Sequence, residues 1–173
     1  EMNTMFYGCT SLTYVNVSGW DISLVEDLQN FANSSVLLDT DFSSWDISNV
    51  RSVDDFMRFT DSALSTANYD LLLVGWEASL QSAYPSGVGY PTGFYDFWVG
   101  LNTYYTEGSL AQTARQSLIT NYGWSVNDGG GIADSLPLAD IISEYKFQNN
   151  VLDSVGSNNG TPTDITYEAG LVG

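Results

Sequence analysis

"SGWDIS", residues 18–23, returns as "SSWDISNV", residues 43–50. Trp20, Asp21, Ile22, Ser23 and Val25 find counterparts in Trp45, Asp46, Ile47, Ser48 and Val50. Working outward, Leu12, Val15 and Val17 align with Leu37, Thr40 and Phe42. Met2 and Met5 align with Leu28 and Phe31, then with Val53 and Phe56. The interval is 25 or 26 residues throughout. A fixed period in this range predicts a solenoid of leucine-rich-repeat type, one coil per repeat, because a short strand such as "LTYVNV" (12–17) cannot bury its apolar side until another coil stacks on it. Leu12, Val15 and Val17 are expected to face inward and Asn16 outward. Trp20 and Trp45 are expected in the core, and Asp21 and Asp46 to accept backbone N–H bonds in the turn that follows.

The period ends after Phe59. "LSTANYDLLLVGWEASLQ" (64–81) reads as a helix capped by Ser65, with Tyr69, Leu72, Leu73, Trp76 and Leu80 as its apolar stripe. Leu64 and Tyr69 sit at staple positions. "GSLAQTARQSLITNYG" (108–123) reads as a second helix, with Ser109 and Gln112 as a capping-box pair and Gly123 at its C-terminal stop. Between them "FWVGLNTYY" reads as a strand. A solenoid needs a terminal cap, and 61–128 is assigned that task. Residues 129–140 have the composition of a linker. In 141–173, "IISEYKF" alternates as a half-buried strand does, "SVGSNNGTPT" is turn chemistry, and "DITYE" suggests a second strand.

Two resemblances attach to these residues. "MFYGCTSLTYVNVSGWDIS", "SSWDISNVRSVDDFM" and the following cap segment resemble the BspA-type leucine-rich repeats of bacterial surface proteins. The second copy departs from that pattern: it lacks the Gly-Cys pair and puts Thr40 at an inward position, so a looser coil is expected. "EYKFQNNVLDSVGSNNGTPTDITYEAGLVG" resembles the opening of a laminin-G-like, concanavalin-A-type lectin domain. The fold class expected is therefore α/β: a short leucine-rich-repeat solenoid (1–60) with an α+β cap (61–128), a linker (129–140) and the first strands of a β-sandwich (141–173). The chain reads as a piece of a longer protein.

Composition narrows the chemistry. Four Lys and Arg face 21 Asp and Glu, for a formal net charge of -17, and there is no His. Clustered basic residues for phosphate binding are absent, which argues against nucleic acid. No run of 18 apolar residues is present, which argues against membrane insertion by a helix. Cys9 is single, so no internal disulfide forms, and it reads as a small buried apolar residue. Without His, no Ser-His-Asp or Cys-His arrangement is available, and the chain is read as no enzyme. The acid pairs Asp54–Asp55 and Asp39–Asp41 read as solvated turn carboxylates. The glycines of "DGGG" and "GVGYPTG" read as loop glycines.

The candidate ligand-binding residues are the aromatics of one loop, Tyr84, Tyr90, Phe94, Tyr95 and Trp98, which either stack on sugar rings or fold back to seal the cap. Oxygen-ligand chemistry makes Asp153, Asn158 and Asn159 candidate metal ligands. Calcium, which laminin-G-like domains often bind through residues further along the chain, is the one cofactor in view. The resemblances imply a non-enzymatic adhesion or recognition module. It would belong to a large extracellular protein of a bacterial surface or of a phage virion tail or fibre. Partners would be a host or cell-surface glycan or protein, and other chains of the same assembly. A structural spacer and an accessory module of a carbohydrate-active enzyme are the alternatives.

Overall fold

In the computed structural model, which describes residues 1–58 and 64–133, the chain builds a mixed α/β unit spanning Glu1–Ile132. Its elements are α1 (Thr66–Ala83), β1 (Asp96–Gly100), β2 (Tyr105–Thr106), α2 (Leu110–Tyr122), β3 (Ser125–Asp128) and β4 (Gly131–Ile132). A single 3₁₀ turn, Pro85–Gly87, follows α1. The strands pair as β1–β3 and β2–β4, both parallel. The expected β-sandwich strands, together with Asp153, Asn158 and Asn159, lie outside the described residues, as do 134–152 of the linker and tail.

No strand forms within 1–58, where a short strand per repeat is expected. Backbone conformation explains the difference. Thr4, Asn30 and Asp55 are left-handed, at φ 56°, 53° and 55°. Close turns recur beside them, with N–H groups of Tyr7, Phe31 and Phe56 donating to the carbonyls of Thr4, Leu28 and Val53. An extended ladder cannot run through such residues. Instead, N–H groups of every second residue bond across to the next segment. Met2, Thr4, Phe6 and Gly8 donate to the carbonyls of Asp27, Gln29, Phe31 and Asn33, at 2.7–3.0 Å. Leu28, Asn30, Ala32 and Ser34 donate in turn to Ser52, Asp54, Phe56 and Arg58, each at 2.9 Å. Val53, Asp55 and Met57 donate to Phe94, Asp96 and Trp98, so the third segment docks on the loop before β1 and on β1 itself.

The tryptophans lie one over the other: the rings of Trp20 and Trp45 stack at 6.3 Å with an interplanar angle of 18°. Trp45 is fully buried and Trp20 half-buried. The alignment read from the sequence needs one correction. The buried leucine is Leu38, while Leu37 is 50% exposed. Cys9 N–H donates to Ser35 Oγ across 26 positions, but Val15 N–H donates to Thr40 Oγ1 across 25. Residues 2–12 therefore return one position later than 15–25, and the second copy is one residue shorter between Leu38 and Thr40. Nor is the second copy looser. Phe31, Leu38, Phe42, Trp45 and Ile47 are all buried, and Thr40 uses its hydroxyl to tie the two copies together. Cys9 itself is only half-buried, less than expected.

Both helices form where the apolar stripes place them. Ser65 Oγ accepts from Asn68 N–H, and Tyr69, Leu72, Leu73, Trp76 and Leu80 are buried, as is Leu64. Ser109 Oγ accepts from the N–H groups of Ala111 and Gln112, and Gly123 ends α2 at φ 72°. The Gln112 side chain reaches one residue further back than a capping box requires, accepting from Gly108 N–H at 2.7 Å. Trp76 of α1 takes up the repeat's pattern. Trp45 Nε1 donates to the Val17 carbonyl, and Trp76 Nε1 donates at 3.0 Å to Phe42, the counterpart of Val17 one repeat later. The helix comes this close because residue 75 is glycine: a Cβ there would stand 2.2 Å from the Ser43 carbonyl oxygen.

Candidate functional site

The aromatic loop divides into three parts. Tyr84, Tyr90 and Tyr95 gather with Tyr122 and Trp124 from the end of α2. Tyr90 lies 5.3 Å from Tyr84, 5.2 Å from Tyr95 and 5.1 Å from Tyr122, ring centre to ring centre. Tyr95 stacks on Trp124 at 5.6 Å with planes 4° apart. The phenol groups are tied inward. Trp124 Nε1 donates to the Tyr90 hydroxyl at 3.1 Å, and the Tyr122 hydroxyl donates to Gln81 Oε1 at 3.0 Å. Burial raises the pKa of Tyr90 far above the ordinary phenol value; burial also raises that of Tyr122, with the charge of Glu77 adding to it. Both hydroxyls thus stay protonated at neutral pH.

Phe94 is different: it is 72% exposed, although its backbone is held by Arg51 and Val53. Trp98 is half-buried on β1. Its Nε1 donates to Asp96 Oδ2 at 3.1 Å, and the Arg58 guanidinium lies 5.0 Å from the ring centre.

Outside the tyrosine cluster runs a groove of about 440 Å³, walled by Tyr90, Pro91, Tyr95 and Tyr122 and rimmed by Thr92, Thr120 and Asn121. Thr92, Thr120 and Asn121 are exposed. Gly87 lets the 3₁₀ turn meet the end of α2, since a Cβ there would stand 1.9 Å from the Asn121 carbonyl oxygen. Of the five loop aromatics expected to bind ligand, Tyr90 and Tyr95 line this groove. Tyr84 packs behind Tyr90, and Phe94 and Trp98 lie elsewhere. The sequence reading missed Tyr122, Trp124, Thr120 and Asn121. The signal that finds them is "NYGW" (121–124): the left-handed Gly123 turns the chain so that Trp124 comes back under Tyr95.

A second groove, of about 330 Å³, lies between the segment 43–48 and α1, with Ser43, Ser44, Asp46, Ser79 and Ser82 on its walls. Asp46 Oδ1 accepts from Ser48 N–H and from the Ser79 hydroxyl, each at 3.0 Å. These bonds outweigh partial burial and keep its pKa below the usual carboxylate value. Asp21 makes the matching bonds to the hydroxyl and N–H of Ser23, which lower its pKa too. Trp20 and Trp45 are packing residues here.

The remaining acid pairs are engaged in structure. Asp39 Oδ1 accepts from Ser65 N–H, Ser65 Oγ and Asn68 Nδ2, at 2.9, 3.1 and 2.8 Å. Asp41 accepts from Ser43 N–H, Asp54 from Asp96 N–H, and Asp55 pairs with Arg58 at 3.2 Å. Among the described residues no three Asp, Glu, Cys or His side chains are placed to hold a metal ion together. No helix among them is long and apolar enough to cross a membrane.

Residues 1–76 match a family model described as "Mycoplasma protein of unknown function, DUF285". The match takes in both Trp-Asp-Ile-Ser motifs and ends at Trp76, the indole that extends their pattern into α1. No curated protein and no solved structure is similar enough to this chain to count as a match.

Proposed function

We propose that this chain is a recognition module and not an enzyme, from an extracellular protein of a bacterial surface or a virion, and that its groove at Tyr90, Tyr95 and Tyr122 takes a saccharide. In this reading residues 1–58 are a short solenoid of the BspA type, each segment a coil, and residues 64–132 are its cap. The hydrogen bonds that link residues 25 positions apart support the solenoid, and the tail's likeness to a lectin opening supports a glycan partner. Calcium belongs to the proposal only through that tail.

The observation that carries the ligand reading is the groove's make-up. Tyrosine rings wall it with their hydroxyls tied inward, while the exposed Thr92, Thr120 and Asn121 set polar groups at the rim, the Thr120 hydroxyl donating to the Gln116 carbonyl and the Asn121 amide nitrogen to Ser117 Oγ. Aromatic faces beside hydroxyl and amide groups suit a sugar ring, whose C–H faces are apolar and whose edge is polar. Trp124, stacked under Tyr95, reports on the groove. Titrating the full chain with saccharides from bacterial and host surfaces should perturb Trp124 fluorescence and the Asn121 amide resonance. Asn121→Ala should weaken binding about five- to tenfold, the loss of one or two hydrogen bonds, and leave the melting temperature unchanged. A blank glycan array, with these signals unmoved, sinks the reading. Burial of the groove against sister chains in an assembled particle would favour the structural spacer instead.

A further inference from the structure

Phe94 stands in the open on a face where one aromatic ring already carries a cation. From Phe94 to Trp98 outward positions alternate with buried ones: Phe94 and Asp96 are exposed and Trp98 is half-buried, while Tyr95 and Phe97 are buried. Trp98 Nε1 donates to Asp96 Oδ2, which sets both side chains on the outward face. The Arg58 guanidinium lies over the Trp98 ring, 5.0 Å from its centre, and pairs with Asp55 at 3.2 Å. Among the described residues no guanidinium lies over Phe94. Its backbone is fixed, the N–H donating to the Arg51 carbonyl and the carbonyl accepting from Val53 N–H, so the ring is displayed from a rigid position. Across the face Phe94 stands next to Ser52, and Ser52 next to Asp27. Adjacent segments lie about 5 Å apart, and outward positions along one strand about 7 Å apart. Asp96 is the next outward position after Phe94, and Asp54, whose Oδ1 accepts from Asp96 N–H at 2.8 Å, is the second residue after Ser52. Three carboxylates therefore flank the ring. Among the described residues no basic side chain forms an ion pair with Asp27, Asp54 or Asp96. Arg51 turns its guanidinium to the carbonyls of Ser48 and Val50. The three acids are close enough to repel: burial raises the pKa of Asp54, and the charges of Asp96, Asp55 and Asp27 raise it further.

We infer that this face docks a basic segment of a partner protein, an arginine of which stacks on Phe94 among the carboxylates of Asp27, Asp54 and Asp96. Charge selects the occupant. The face of an aromatic ring attracts a cation, and carboxylates beside the ring add charge-assisted hydrogen bonds. Arginine suits the place better than lysine, because a planar guanidinium stacks on a ring and still points N–H groups at its edge toward carboxylates. Arg58, on Trp98 and beside Asp55, shows the same arrangement within the chain. An arriving cation also relieves the repulsion among the three acids. At longer range the net charge of -17 draws a basic partner in and opposes an acidic partner or a second copy of this chain. The inference goes beyond the saccharide reading and does not depend on what the tyrosine groove takes.

The test titrates the full chain at low salt with an acetylated peptide of alternating arginine and glycine, and with the same peptide carrying citrulline, the uncharged isostere, in place of arginine. The arginine peptide should move the Phe94 and Ser52 amide resonances and the Trp98 indole resonance, and the citrulline peptide should leave them in place. Phe94→Ala keeps both backbone hydrogen bonds and should weaken binding about fivefold or more. Asp54→Asn keeps the oxygen for Asp96 N–H and should weaken it about threefold. Asp41→Asn, at an exposed acid outside this row, should change nothing. If the Phe94→Ala chain binds as tightly as the parent, the attraction is the diffuse pull of the net charge and the inference fails. It fails equally if the citrulline peptide binds as well as the arginine peptide. Phe94 resonances that shift with the concentration of the chain alone would put a second copy on the face. Binding that appears only in Lys146→Gln would put the chain's own lysine there. Either result overturns the assignment to a partner protein.

Discussion

Gly75 shows how much of this architecture hangs on single atoms. Trp76 supplies the third indole of the series only because its helix lies against the Ser43 carbonyl, with room for a hydrogen at residue 75 and not for a methyl group. In Gly75→Ala the overlap falls on backbone, which cannot rotate away, so α1 must shift and the bond from Trp76 to Phe42 must stretch. Helix propensity alone favours alanine by up to about 1 kcal/mol. Overpacking of a tight contact costs about 1–3 kcal/mol, and here it wins. Gly75→Ala should lower the midpoint of urea unfolding with an unchanged slope. An unchanged or raised midpoint would show that α1 slides at no cost. Neither the glycine's task nor the slip from Leu37 to Leu38 is legible in the sequence. Periodicity gives the spacing of apolar residues, but "SSVLLD" offers two adjacent leucines. Only the hydrogen bonds from Cys9 and Val15 decide which one turns inward.

At the scale of elements, the two helices are legible because each has a cap, a stripe and, in α2, a glycine stop, all local signals. The strands are less so. "FWVGLNTYY" yields β1 and the separate two-residue β2, and Gly131–Ile132, which reads as linker, forms β4. Their parallel pairing depends on partners about thirty residues away in β3 and β4, which no local pattern announces. Asp39 is another long-range device. It reads as a solvated turn acid, yet one oxygen receives three hydrogen bonds from Ser65 and Asn68 and so fastens the start of α1 to the second repeat. Asp39→Ala frees the Ser65 N–H and leaves the helix capped by Ser65 alone. The expected cost is about 1–2 kcal/mol, the loss of hydrogen bonds to a charged acceptor whose donors are then left to water. Asp39→Asn, which keeps the acceptor oxygen, should recover most of it. Thermal melts of the three chains decide this; equal melting temperatures would show that Ser65 needs no help.

At the scale of the whole molecule, charge opposes the fold that burial makes. Of 25 charged side chains 21 are acidic, and among the described residues Arg58 is paired with Asp55 and Arg115 with the nearly buried Asp128 at 2.7 Å. The repeat aggravates the imbalance, since stacking places like residues beside like. Asp54 shows the result. Partial burial raises its pKa, and the charges of Asp96, Asp55 and Asp27 add to the rise, against the backbone bond it accepts from Asp96. The sign follows. The folded chain holds this proton more tightly than the unfolded one, so the stabilisation is present below the ordinary carboxylate value of 3.8 and lost as pH rises through the raised folded value. At neutral pH the ionised Asp54 therefore works against folding. Asp54→Asn keeps an oxygen for the Asp96 N–H and removes the charge, and it should raise the melting temperature at neutral pH. The gain should be largest at low salt, because the screening length shrinks from about 30 Å at ~0.01 M to about 3 Å at ~1 M. Over the same range the parent chain should itself grow more stable, and more steeply than the variant. Parallel salt curves for the two chains would mean that Asp54 carries none of this repulsion, and a parent chain that weakens with added salt would mean that the acidic side chains are held apart better than their stacking allows.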